Sequence, residues 1–249
     1  MSPRHSIETS DEAGVRYLHF GSDWVQGAMR IARPWALELA YTQEMMGCLL
    51  LRTEPDWPRQ ILQVGLGAAS LTKWWYRHRP SCQQTIIEIN PAVVAVARQA
   101  FKLPQDEARI AIHIADGVEW MQPESKVGER FDCIMIDGYD HHARFGGLGS
   151  EAFYRHCRTR LKRQGILVLN LFGRSRGYRT QLAHLSAVFG DRVLALPPVD
   201  GGNAIVFAAL DDFAFDPDAA QAAVAQLHRD TGLKLGATLA RLQQAWAGR

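Results

Sequence analysis

From residue 61 onward, apolar runs of strand length alternate with stretches whose apolar positions recur every three or four residues. The strand-like runs are "QILQV", "QQTIIEI", "RIAIHIA", "FDCIMID", "GILVLNLF", "RVLALP" and "NAIVFAAL". Between them, "SLTKWWYRH", "PAVVAVARQAF", "GVEWMQ", "SEAFYRHCRTRL" and "RTQLAHLSAVF" have helical periodicity. Such alternation predicts a mainly parallel sheet with helices on both faces. Only "PVDGGN" separates the last two strands, and as that loop suits a hairpin, the final strand is expected to run antiparallel. The alanine-rich tail from Asp216 predicts surface helices packed on the domain.

Ahead of this unit, "HSIETSDE" and "GVRYLHFG" alternate around Ala13-Gly14, which predicts a small antiparallel hairpin. Helical spacing then runs from Trp35 to Leu51, putting Pro34 in a first helical turn. The proline-bearing "RTEPDWPR" ends that helix. The expected division is therefore a β-hairpin module with a connecting helix over 1–57 and a nucleoside-binding α/β domain with C-terminal helices over 58–249.

Composition narrows the function classes without choosing one. The 249 residues are 47% hydrophobic and 22% charged, with a net charge of +2, so no strong field draws nucleic acid or an anionic membrane. The basic runs "RHCRTRLKR" (155–163) and "RSRGYR" (174–179) read as solvated helix faces without a recognised nucleic-acid module. Trp74, Trp75 and Tyr76 read as packing residues, and methylation of RNA stays a minor alternative. Cys48, Cys82, Cys133 and Cys157 are far apart, with no C-x-x-C pair, and read as reduced thiols. No apolar run approaches the roughly 20 residues of a membrane span, and the N-terminus shows no apolar signal region. A cytoplasmic location is the default expectation.

Candidate chemistry gathers at the strand ends. In an open α/β sheet, ligands bind outside the carboxyl ends of the strands. The first strand ends in Gly65-Leu66-Gly67, the second in Glu88, the third in Asp116-Gly117 and the fourth in Asp137-Gly138-Tyr139-Asp140. Taken singly, these are a turn glycine, a solvated strand end, a helix cap and an Asp-Gly turn. Four in register indicate a site. Glu88 follows Gly65 by 23 positions, near the roughly 20 expected for a carboxylate that holds ribose hydroxyls. Ser70 replaces the third glycine of a dinucleotide fingerprint, and Asp116 can accept from an adenine amino group. A nicotinamide enzyme stays open, but an S-adenosyl ligand is favoured. His141 and His142 beside Asp140 raise the question of a metal, yet adjacent histidines diverge and no third ligand motif accompanies them, so no metal is expected. A loop gate is the preferred reading, with Tyr139 and Phe145 covering the pocket and Gly146, Gly147 and Gly149 letting it move.

From about Gly14 to Leu210 the ordered set resembles the spermidine synthase-like polyamine aminopropyltransferases: "QGAM" at Gln26, "YTQEMM" from Tyr41, the glycine turn, "IEIN", "ADG", "IDGYD" and "GNAIVFA". The resemblance implies a Rossmann-like sheet of the S-adenosylmethionine-dependent methyltransferase type behind a small N-terminal β module, and a homodimer. It implies that Gln26, Gly65, Gly67, Glu88, Asp116 and Gly117 hold the nucleoside, that Asp137 is the catalytic base, and that Tyr41 and Asp140 line the site of a small-molecule amine. Decarboxylated S-adenosylmethionine would be the co-substrate, with no prosthetic group or metal. Three departures stand out. Ala68 replaces the acid of the family's G-G-G-D-G turn, Thr42-Gln43 stands where His-Glu is usual, and "GYDHH" replaces a Ser-Asp-Pro type sequence. Methyl transfer from S-adenosylmethionine, and nucleoside binding without aminopropyl transfer, therefore remain alternatives.

Overall fold

A computed structural model describes residues 7–21, 24–122, 128–138, 145–197, 202–213 and 215–248. The chain opens with three antiparallel strands, β1 (Ile7–Glu12), β2 (Val15–Phe20) and β3 (Val25–Arg30). Ala13 and Gly14 both take positive φ, 48° and 75°, as the two-residue turn of a tight hairpin requires. The hairpin is as expected. The third strand, carrying Gln26, is additional, because "VQGAM" has too little alternation to announce a strand.

The connecting helix is shorter than its periodicity predicts. Pro34 lies in a run of turns, and helix begins only at α1 (Ala40–Met45), followed by α2 (Cys48–Leu51). Gly47 separates the two helices in a tightly packed corner, where a Cβ would meet Glu44 O and Thr238 Cγ2 at 3.0 Å and Phe207 at 3.1 Å. The apolar spacing across 35–51 reflects burial on the core, not one continuous helix.

The main sheet comprises β4 (Gln60–Val64), β5 (Gln83–Glu88), β6 (Ile110–Ile114), β7 (Phe131–Ile136), β8 (Leu161–Phe172), β9 (Val193–Ala195) and β10 (Asn203–Ala209), in the order β6-β5-β4-β7-β8-β10-β9. From β6 to β8 all neighbours are parallel, while β10 runs antiparallel to both β8 and β9. The alternating sequence beyond residue 61 and the antiparallel final strand are both as expected. Chain order reverses between β4 and β7, so their carboxyl ends frame the crevice where this fold class binds ligands.

The remaining helices are α3 (Ser70–His78), α4 (Pro91–Ala100), α5 (Gly117–Trp120), α6 (Glu151–Arg160), α7 (Tyr178–Phe189), α8 (Pro217–Thr231) and α9 (Gly236–Ala247). Strand parity sorts the core into two apolar layers. Ile61, Met135, Val168 and Phe207 meet α2, α3, α8 and α9 on one face, while Leu62, Ile134, Leu169 and Val206 meet α5, α6 and α7 on the other. All four cysteines are buried free thiols, and Trp74 and Trp75 are core residues. The basic run 155–163 is not solvated throughout, since Arg160 is buried with its guanidinium over Trp120, 4.9 Å from the ring centre. No helix among the described residues is long and apolar enough to cross a membrane.

Candidate active site

Sheet pairing continues past the strands and fixes their ends. Gly65 N–H donates to Ile87 O and Asp137 N–H to Val64 O, both at 2.9 Å. At φ +92° Gly65 lies so close to the neighbouring strand end that a Cβ would sit 2.3 Å from Asp137 O. Only glycine allows the β4 and β7 ends to approach this closely. Gly67 is also left-handed, at φ +51°, and faces Gln26 O, which a Cβ would meet at 3.2 Å. Ala69 takes φ +56° ahead of α3, an uncommon conformation for a residue with a Cβ.

Glu88, 7% exposed, ties this turn to its own strand end: Oε2 accepts from Leu66 N–H and Oε1 from Asn90 N–H, each at 2.9 Å. Burial pushes its carboxyl above the usual range, against the opposing pull of those N–H donors. Gln63, buried on β4, donates from Nε2 to Gly65 O at 2.6 Å and accepts from Thr72 Oγ1 at 3.0 Å, so the glycine turn is tied to both strand and helix. Asp116 caps α5, its Oδ1 accepting from Val118 N–H at 2.7 Å and Glu119 N–H at 3.4 Å. Gly117 packs under it, where a Cβ would meet Val64 Cγ1 at 2.6 Å.

Asp137 stands across the crevice. Tyr41 Oη, from α1, donates to its Oδ2 at 3.1 Å, and Asn170 Nδ2, from β8, donates to its Oδ1 at 2.9 Å. Burial raises its pKa above the ordinary carboxylate value, while the Asn170 and Tyr41 hydrogen bonds pull it down. Both donors stabilise the ionised form, and the raised pKa strengthens the carboxylate as a proton acceptor.

These residues line one cavity of about 1200 Å³, with Gln26, Tyr41, Gly65, Gly67, Glu88, Asp116, Gly117 and Asp137 all on its wall. The structure thus brings together every expected site residue that it describes. Asp140, Tyr139, His141 and His142 lie outside the described residues. The wall also includes Gln63, Asn170 and Asn203, which the sequence reading did not single out. Gln63 in "QILQV" and Asn170 in "GILVLNLF" were each the lone polar residue inside an apolar strand, a signal that could have found them.

Phe145 lines the cavity, as expected, and is packed in the core layer beside α6. A Cβ on Gly147 or Gly149 would meet Val118 Cγ2 at 3.0 Å or Gln181 Nε2 at 2.9 Å, so these two glycines also serve close contact, whereas Gly146, at φ +55°, has open space around it. Thr42 and Gln43 spend their side chains on main-chain carbonyls, Leu39 O at 2.6 Å and Leu37 O at 2.8 Å. Among the described residues no group of three or more His, Cys, Asp and Glu could hold a metal ion.

Ala68 is 2% exposed and packs with Leu18, Met29 and Phe101 beneath the N-terminal sheet. A Cβ placed on Gly27 would lie only 2.6 Å from Ala68 Cβ. The turn and β3 are therefore in near main-chain contact where the resembled motif carries an acid.

Comparison with known proteins places this geometry. Residues 38–173 match the spermine/spermidine synthase domain family. A polyamine aminopropyltransferase of Neisseria meningitidis is 38% identical over 202 residues, covering 81% of this chain and 75% of the relative. The crystal structure of a probable spermidine synthase from Corynebacterium glutamicum superposes with a TM-score of 0.74 at 20% identity, covering 89% of this chain and 83% of that one. Human methyltransferase-like protein 13, in complex with SAH, superposes with a TM-score of 0.67 at 26% identity, covering 77% of this chain and 93% of that one.

Proposed function

The chain belongs to the spermine/spermidine synthase family, and on that premise we propose that it transfers an aminopropyl group from decarboxylated S-adenosylmethionine to a small amine. The observation that carries the reading is Asp137, a carboxylate held at both oxygens by Tyr41 and Asn170, facing the same cavity as Glu88 and Asp116. In this reading Gln26, Gly65, Gly67, Glu88, Asp116 and Gly117 hold the adenosine, Glu88 through the ribose and Asp116 through the base.

The chemistry is an in-line displacement. The amine nitrogen forms a bond to the carbon next to the sulfonium as the carbon–sulfur bond breaks, and methylthioadenosine leaves with the electron pair. Before the attack the acceptor's ammonium gives one proton to Asp137, which frees the nitrogen lone pair, and the new nitrogen–carbon bond leaves the product as an ammonium. The free acceptor's pKa is about 10, like that of lysine, and burial of Asp137, which raises its carboxyl, narrows the gap across which that proton moves. Alignment supplies much of the remaining rate, because sulfonium is already a good leaving group. Tyr41 and Asp140 belong to the amine side of the site. The same reading takes the chain as a homodimer acting in the cytoplasm.

Methyl transfer from intact S-adenosylmethionine is the second reading, and Ala68 favours it. With an apolar methyl packed on β3, the turn offers no acid for a donor amine and no repulsion toward a donor carboxylate. Product analysis separates the two. Incubation with either donor and with putrescine, spermidine or other amines yields methylthioadenosine in aminopropyl transfer and S-adenosylhomocysteine in methyl transfer. Asp137→Asn is expected to lower kcat by about 10²–10⁴-fold. Nucleoside binding with neither product from any amine would end the transferase reading, and undiminished activity of Asp137→Asn would remove the base.

A further inference from the structure

Asp137 Oδ1 does not rest on an isolated donor. Asn170, 3% exposed, gives its Nδ2 to Asp137 at 2.9 Å and receives Asn203 Nδ2 on its own Oδ1, also at 2.9 Å. The antiparallel register explains the meeting: Asn203 pairs with Phe172 and Ile205 pairs with Asn170, so the two asparagines are diagonal neighbours on one face of the β8–β10 ladder. We propose that Asn170 and Asn203 form an amide relay that positions Asp137 and sets the pH range over which it works as a base.

The direction of the relay follows from its donors. An asparagine amide presents a donor on one side and an acceptor on the other. An ionised carboxylate only accepts, so Asp137 draws the Asn170 amino group toward itself and leaves Asn170 Oδ1 to receive Asn203 Nδ2. Reversal of Asn170 would set its carbonyl against the carboxylate and its amino group against that of Asn203. Both contacts would repel, so the Asn203 hydrogen bond reinforces the orientation that Asp137 imposes and that stabilises the ionised base. Asn170 and Asn203 are positioning residues: their effect on chemistry runs through Asp137.

The inference rests on Asp137 being the base of the proposed transfer, and its test is built to read Asp137 without turnover. The carboxyl carbon of Asp137 is followed by NMR in protein carrying 13C-labelled aspartate, saturated with methylthioadenosine, across a pH series. In Asn170→Leu the Asp137 midpoint is expected to rise by roughly one to two pH units, the worth of one hydrogen bond to a charged group. Asn203→Ala should raise it by less, and the double variant should match Asn170→Leu, since Asn203 acts only through Asn170. The acidic limb of kcat should move by the same amounts, with activity recovered above the shifted midpoint. Asn203→Ala alone decides the matter if Asn170→Leu does not fold. An unmoved midpoint in folded Asn203→Ala, or shifts that add in the double variant, would overturn the relay. Failure of the wild-type protein to turn over any amine would overturn the transfer reading instead and leave the titration result standing.

Discussion

Glu88 is a sharp place to test the nucleoside reading, because its carboxylate has two duties in the structure. It holds the glycine turn through Leu66 N–H and its own strand end through Asn90 N–H, each at 2.9 Å, and in the proposed complex it also accepts from the ribose hydroxyls. Glu88→Gln preserves shape but turns one oxygen into an amino group, which must face one of those N–H donors. A hydrogen bond to a charged group contributes about 1.5–3 kcal/mol, so binding of methylthioadenosine is expected to weaken by about 10- to 100-fold. A loosened turn alone could weaken binding, so the ligand is varied too. Calorimetry with methylthioadenosine and its 2′,3′-dideoxy counterpart, on wild type and Glu88→Gln, closes a double cycle. The wild type should discriminate the two ligands by at least about tenfold more than the variant does, if the charge meets the hydroxyls. Equal discrimination by both proteins would show that Glu88 builds the turn without touching ribose.

Two further outcomes follow from buried groups near that turn. Lys73 is 1% exposed, donates from Nζ to Phe101 O at 2.8 Å, and is pushed by burial from 10.5 down to about 7. Its folded pKa lies below the unfolded one, so between the two the unfolded chain binds the extra proton and stability rises with pH. Its contribution is complete above pH 10.5 and lost as pH falls toward 7. Lys73→Met should remove this slope, so that wild type gains up to about 3 kcal/mol on the variant between pH 7 and 9.5 in urea unfolding; parallel stability curves would refute the buried neutral lysine. Ala68→Asp, which restores the acid of the resembled turn, should not restore its role, because Ala68, although it borders the cavity, already has its Cβ tight against Gly27 and beside the apolar Leu18, Met29 and Phe101. Overpacking of this kind costs about 1–3 kcal/mol, so a lower Tm with unchanged donor preference is expected, and an unchanged Tm with a switch toward decarboxylated donor would refute the packing argument.

Much of this architecture is legible in the sequence because burial on both faces writes each central strand as an apolar run with its polar groups at the ends. Gly65, Glu88, Asp116 and Asp137 could be placed at strand ends for that reason, and the structure brings them to one cavity. Where several tertiary surfaces compete, legibility fails. The apolar spacing over 35–51 served the core while Gly47 broke the helix. Gly147 and Gly149 are small for close contact as well, a role that leaves the same trace in a sequence as freedom to flex. The Asn170–Asn203 pair depends on cross-strand register, which no local pattern in either strand records.

That dependence extends to the base as a whole. The two segments that meet Asp137 begin far apart, and each is positioned by a different feature of the fold. Asn170 is oriented through β10, whose reversed direction brings Asn203 to its side. Tyr41 is carried by α1, a helix of only six residues that could not hold a phenol in place unaided. Three residues along the same helix, buried Glu44 meets Arg241 of α9 at 3.0 Å, and burial raises its carboxyl against the pull of that arginine. An ion pair this enclosed costs desolvation and yields little net stability, but losing one partner leaves an uncompensated charge beside α1. The C-terminal helices thereby reach the site: Arg241 of α9 pairs with Glu44 on the helix that presents Tyr41 to the carboxylate that Asn170 holds from the other side.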